Sequence, residues 1–280
     1  MDFFGFGGYQ RKPEGWFSCE MLTMVTSFIV LMVFLAVFLG IRYRHKDEAK
    51  KIFVLKVSAI AIDSFEIIKI ILVCIRGKED PTTILRLLPL FLCSFQLISI
   101  PLAAFGKGRL REAAIDFVFL FGVLGAFAGT YGAGQNYGAY PVLSFDNVVS
   151  TITHCISGFA GLYVAIVGLL KLKVKNIKWV VAILFGFAIL AYIADITIPY
   201  NYMFLMRGDG TPYDIFYNMV GGNPALYPMV LCFYLFFIWP WYMVLHISSL
   251  LSEDRLLKRK RWKPNLSRSE NYFLFFFLNY

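Results

Sequence analysis

Hydrophobic residues in this chain come in long unbroken runs, not in the two-residue alternation of a half-buried strand. Runs of about 20 apolar residues recur at roughly 19-42, 51-75, 84-105, 113-131, 147-171, 177-199 and 225-250, each long enough to cross a hydrocarbon core of about 30 Å. Lipid offers no partner to a backbone N–H or C=O, so a spanning segment must close its hydrogen bonds internally as a helix or within a barrel. Barrel strands would read as segments of about ten residues with alternating polarity. The pattern therefore predicts an all-α polytopic membrane protein, a seven-transmembrane-helix bundle. Residues 1-18 precede it as an extracytoplasmic segment, 19-250 form the bundle, and 251-280 form a basic cytoplasmic tail.

Composition agrees with that reading. The chain is 59% hydrophobic and 18% aromatic, with a mean hydropathy of +0.65, above the roughly 45–50% apolar content of soluble domains. The net charge of +9 points to no nucleic acid, because the basic residues lie between the runs. The segments 42-51, 106-112, 171-178 and 252-270 carry 5, 3, 4 and 7 Lys and Arg, against 2, 3, 0 and 1 in the N-terminal 18 residues, 76-86, 132-146 and 200-224. Positive charge stays on the cytoplasmic side, so the N-terminus is expected outside and the C-terminus inside. "GFGGYQRKPEGW" lacks the features of a cleaved signal peptide, and the first span is expected to be retained. The closing "SENYFLFFFLNY" is too short to span. "RGD" at 207-209 is too short a match to support an integrin-binding reading.

Ionisable residues inside the runs cost about 2.5–3.5 kcal/mol each on insertion scales and so mark candidate function. The candidates are Asp63, Glu66 and Lys69 in the second run, His154 in the fifth, Asp195 in the sixth and His246 in the seventh. Cys93 and Gln96 join them from "LRLLPLFLCSFQLISIPLAAF". At 1.5 Å per residue, Cys93, His154 and Glu66 fall about 10–14 Å below the outer edge of the hydrocarbon core. They share one layer. A thiol becomes a nucleophile when an imidazole takes its proton, and the imidazole works best when a third group fixes its tautomer. Cys93, His154 and Glu66 fit those roles, and the chemistry suits acyl transfer through a thioester. Gln96 and Asn201 are candidate donors to an oxyanion or headgroup, and Asp195 joins them as a substrate-binding candidate. Glu66 and Lys69, three apart, also fit a helical ion pair. Three scattered His residues and five Cys without paired spacing predict no metal and no cofactor.

Four segments give the chain a family likeness. "LRLLPLFLCS" (85-94), "STITHCISG" (150-158), "PYNYMFL" (199-205) and "WPWYMVL" (239-245) together resemble the YwaF-type bacterial integral membrane proteins. That family is similar in turn to the vertebrate transmembrane protein 164, a lipid acyltransferase, and more remotely to membrane fatty-acid-ester hydrolases that pair a Thr with a His. The likeness runs over residues 45 to 250. It implies a multi-span enzyme that moves a fatty acyl group between phospholipids, with the Cys on Cys93, the His on His154 and a carboxylate on Glu66. Bacterial members often carry a His where this chain has Phe91, which leaves His154 without a local rival.

The expected function is thus a phospholipid acyltransferase or transacylase using a Cys-His pair, with phospholipid and lysophospholipid as partners, in a bacterial plasma membrane. A transporter or receptor using the carboxylates Asp63 and Glu66 is the alternative, and a lipid-binding protein without turnover is the third.

Overall fold

An apolar run becomes a bounded helix where a polar side chain satisfies its first amides and a glycine or proline ends it. Ser18 Oγ accepts from the Met21 N–H at 3.2 Å and starts α1 (Cys19–Tyr43). Ser144 Oγ does the same for Asn147 at the head of α6 (Phe145–Ile166). Between them lie α2 (Glu48–Arg76), α3 (Gln96–Phe105), α4 (Gly108–Tyr131) and the short α5 (Gly134–Ala139). The chain continues through α7 (Ile177–Thr197), a 3-10 turn at Tyr202–Phe204 and α8 (Asp214–Met219). Gly77, Gly106 and Gly132 close α2, α3 and α4 with N–H bonds back to Val73, Leu102 and Ala128. The computed structural model describes residues 2–77, 85, 87–198, 200–209 and 214–223. The seventh run, His246, "WPWYMVL" and the basic tail lie outside the described residues.

Among the described residues four helical stretches are long and apolar enough to cross a membrane: Cys19–Tyr43, Gly108–Ala139 (α4 with α5), Phe145–Ile166 and Ile177–Thr197. α2 is 29 residues long and differs from them by carrying Asp63, Glu66 and Lys69 within its apolar stretch. Large apolar side chains face outward, among them Phe34 and Phe38 on α1, Ile67, Ile68 and Ile71 on α2, and Ile189, Leu190 and Ile193 on α7. Ser58, Gln96, Ser99, Asn147, Thr151 and Ser157 are buried. That arrangement suits hydrocarbon and would be costly in water. The chain is all-α among the described residues and has the character of a multi-pass membrane protein.

The third run departs from its expected span. Residues 88–91 are non-helical, and a 3-10 turn over Leu92–Phe95 then passes into α3. Phe91 is extended (φ −82°, ψ 154°). Pro89 has no N–H to give an α-helix and biases the residue before it toward extended backbone. Cys93 therefore stands at a helix start, not in the middle of a span.

α6 is the central post, packed against α4, α1 and α2. The α4/α6 seam is built from small residues. An added Cβ at Gly122 would lie 2.6 Å from the Ser157 carbonyl oxygen, and one at Gly158 would lie 2.5 Å from Ala126 Cβ and Met32 Sδ. Close approach of this kind is how apolar helices attract one another where no hydrophobic effect operates. Side-chain bonds also sort the loops into two ends. At one end Arg76 clasps Asp146, with Nη1 to Oδ2 at 2.7 Å and Nη2 to Oδ1 at 2.6 Å. Tyr9 there donates to Asp146 Oδ2. Trp16 Nε1 donates to the Tyr131 carbonyl and Gln135 Nε2 to the Asp209 carbonyl at the same end. At the other end Arg111 pairs with Glu48 and Lys173 with Glu112, while Tyr163 O–H donates to the Lys51 carbonyl. The strongly basic loops share this second end.

Candidate functional site

His154 sits on α6 with its ring tied to its own helix. Nδ1 lies 2.7 Å from the Ser150 carbonyl oxygen, which can only accept, so Nδ1 carries the proton of the neutral ring and Nε2 keeps its lone pair. Nε2 is buried and has no hydrogen-bond partner. The imidazole and the Cys93 thiol are near neighbours that act on each other electrostatically. With Nδ1 taken, Nε2 is the nitrogen left for sulfur. The Cys93 side chain is exposed at the surface of the bundle, so one face of the pair is sealed and the other open. Ser94, its neighbour in the 3-10 turn, also acts on the thiol.

Lys69 on α2 acts electrostatically on both Cys93 and His154. Its ammonium is held by Glu66, at 2.6 Å from Oε1 and 2.7 Å from Oε2, as the i,i+3 spacing predicts. Glu66 thus meets the site through Lys69. The tautomer-fixing role expected of Glu66 is filled by the Ser150 carbonyl, which lies one turn below His154 on the same helix. Asp63 lies on the same helix, half-buried.

Gln96 is 1% exposed. Its Oε1 accepts from Ser99 Oγ at 3.0 Å, which turns Nε2 away, and that buried amide nitrogen has no partner. The two other candidates serve the 200–209 loop. Asp195 Oδ1 accepts from the Tyr202 N–H at 2.6 Å, with Oδ2 buried and unpartnered. Asn201 Nδ2 donates to the Arg207 carbonyl (2.8 Å) and to Asp209 Oδ2 (2.7 Å), and its Oδ1 accepts from the Met206 N–H (3.0 Å). Arg207 and Asp209 of "RGD" pair with each other. The loop then braces the thiol segment. Phe91 is ringed by Tyr200, Tyr202 and Phe204 at centroid distances of 6.1, 5.4 and 5.9 Å, and Tyr202 O–H donates to the Leu85 carbonyl. Two motifs far apart in sequence are one structural unit.

Sequence reasoning missed Ser150, Ser99 and the aromatic ring around Phe91. The first two had a signal, at i−4 from His154 and i+3 from Gln96. Among the described residues no group of three or more His, Cys, Asp or Glu could hold a metal ion.

Comparison with curated proteins finds no match, and neither does comparison with solved structures. Residues 16–252 match the TMEM164 family. That stretch takes in Cys93, His154, Gln96 and every helix described above, and the chain belongs to the TMEM164 family.

Proposed function

We propose that this protein is a membrane acyltransferase that carries a fatty acyl group on Cys93. The reading rests on one observation: a thiol at a helix start and an imidazole on another helix lie near enough to act on each other, with Nδ1 occupied so that the unpartnered Nε2 is the available base. His154 takes the thiol proton, and the thiolate adds to the ester carbonyl of a phospholipid. Gln96 Nε2, buried and without a partner, is the donor assigned to the developing oxyanion. On collapse the ester C–O bond breaks, the imidazolium returns its proton to the leaving alkoxide, and a thioester remains. A lysophospholipid hydroxyl then loses its proton to His154 and attacks. The C–S bond breaks, and the thiolate recovers its proton from His154. Membership of the TMEM164 family supports acyl transfer as the reaction class. We place the protein in a cell membrane, bacterial by its likeness, with the N-terminus outside and Asp195 and Asn201 shaping the outer mouth where headgroups lie.

The test is reconstitution in vesicles with a labelled phospholipid donor and a lysophospholipid acceptor. Cys93→Ala is expected to abolish transfer, and wild type is expected to yield a hydroxylamine-sensitive acyl label on Cys93. Full turnover by Cys93→Ala would overturn the proposal. The transporter alternative requires Asp63 and Glu66 to share a coupling ion, whereas both Glu66 oxygens are committed to Lys69.

A further inference from the structure

Gly129, on α4, lies against the Nε2–Cδ2 edge of the imidazole. A Cβ built there would sit 2.1 Å from His154 Nε2 and 2.1 Å from Cδ2, with Cε1 next at 3.0 Å. The three nearest atoms to that Cβ therefore all belong to one ring. Real side chains do not approach so closely, so any residue but glycine would move the imidazole. Four residues earlier, Gly125 has open space around the same imaginary atom. A tilt of the ring strains the bond that holds Nδ1 at 2.7 Å from the Ser150 carbonyl. Displacing Nε2 by the width of a methyl group means breaking that bond or leaving the thiol.

We infer that Gly129 is a positioning residue that seats the imidazole of His154 so that Nε2 meets the Cys93 thiol. This rests on the reading of Cys93 and His154 as nucleophile and base, and it adds a requirement on a third helix. The α4/α6 seam is then more than packing. Its last small residue sets the distance between base and nucleophile.

The experiment measures alkylation of Cys93 by iodoacetamide, resolved from the other cysteines by peptide mass spectrometry, in full-length protein reconstituted in vesicles. At pH 7.5 Gly129→Ala is expected to slow Cys93 alkylation at least about fivefold, because only the thiolate reacts and its base has moved. At about pH 10, above the ordinary thiol value near 8.5, the two proteins should converge. A general loosening of the fold would not produce that convergence. Gly125→Ala should behave as wild type throughout. In a His154→Ala background, Gly129→Ala should change neither alkylation nor thermal melting, since the ring it would strike is gone. Should Gly129→Ala alone fail to fold, the double variant is expected to fold and melt like His154→Ala. Wild-type alkylation by Gly129→Ala, or failure of the double variant to fold, would overturn the inference. Because alkylation needs no turnover, an acyl-transfer-competent Cys93→Ala would remove the proposed function while leaving this result to be judged by itself.

Discussion

A histidine in an apolar setting has two nitrogens to satisfy, and His154 ties one to the carbonyl a turn below it. That economy explains why the expected carboxylate partner is not needed. A carbonyl on the same helix is already fixed in place, whereas a Glu from another helix would have to be ordered and stripped of water. Spacing alone could nominate Cys93, His154 and Glu66 as a layer. It could not rank a backbone acceptor against a side chain, because sequence patterns advertise side chains only. The amide of Gln96 shows the complementary case, an orientation set by a hydroxyl three residues on. Under the proposed mechanism, Gln96→Leu should lower kcat by about 10²–10³-fold with little change in KM, the loss typical of one oxyanion donor. Ser99→Ala should cost about fivefold, the worth of one neutral hydrogen bond near 1 kcal/mol. Single-turnover acylation of Cys93 measures both, and an undiminished rate in Gln96→Leu would remove the amide from the mechanism.

At the scale of elements, hydropathy located α1, α2, α4, α6 and α7 within a few residues of their observed ends, since in each an apolar run is also a good helix. The third run misled because hydropathy reports transfer to lipid and is blind to proline. Pro89 delays the helix, and the delay places Cys93 at a helix start where one side chain can be both exposed and reached by a neighbouring helix. The α4/α6 seam gives a stability prediction. Gly122→Ala pushes a methyl group toward the Ser157 carbonyl oxygen at 2.6 Å, and overpacking of this kind costs about 1–3 kcal/mol. Urea or thermal unfolding in detergent should register it. The clasp of Arg76 on Asp146, with side chains 15% and 14% exposed, holds the end of α2 to the head of α6. Arg76→Ala should destabilise by about 3–5 kcal/mol through the carboxylate it strands. Tyr9 closes that clasp, and burial first, then the neighbouring Asp146, pushes its phenol up to about 12. A raised value in the folded state means the contribution is complete below the free phenol value of about 10. It is then lost as pH rises through 12. Melting temperature should therefore fall between pH 10 and 12, and Tyr9→Phe should remove that step.

For the whole molecule, the division of loops between two ends is what charge counting anticipates. One end gathers the strongly basic segments 42-51, 106-112 and 171-178, and the other gathers the N-terminal segment with the 132–146 and 200–209 loops. A reporter that is active only in the cytoplasm should work when fused behind residue 280 and fail when fused ahead of residue 1. The opposite pattern would invert the proposed orientation and carry the Cys93 layer to the other leaflet. Sequence could anticipate this grouping of loops because charge bias is summed over many residues. It could not show that the "PYNYMFL" loop folds down onto Phe91, since aromatic rings converge through tertiary structure and leave no periodic trace.

The exposed thiol of Cys93 has a kinetic consequence. A lipid reaching sulfur by sideways diffusion within its leaflet never passes through water. Its effective concentration is then a mole fraction in two dimensions. Diluting the donor with inert lipid at constant total donor should slow the reaction, while adding buffer to the same vesicles should leave the rate per vesicle unchanged.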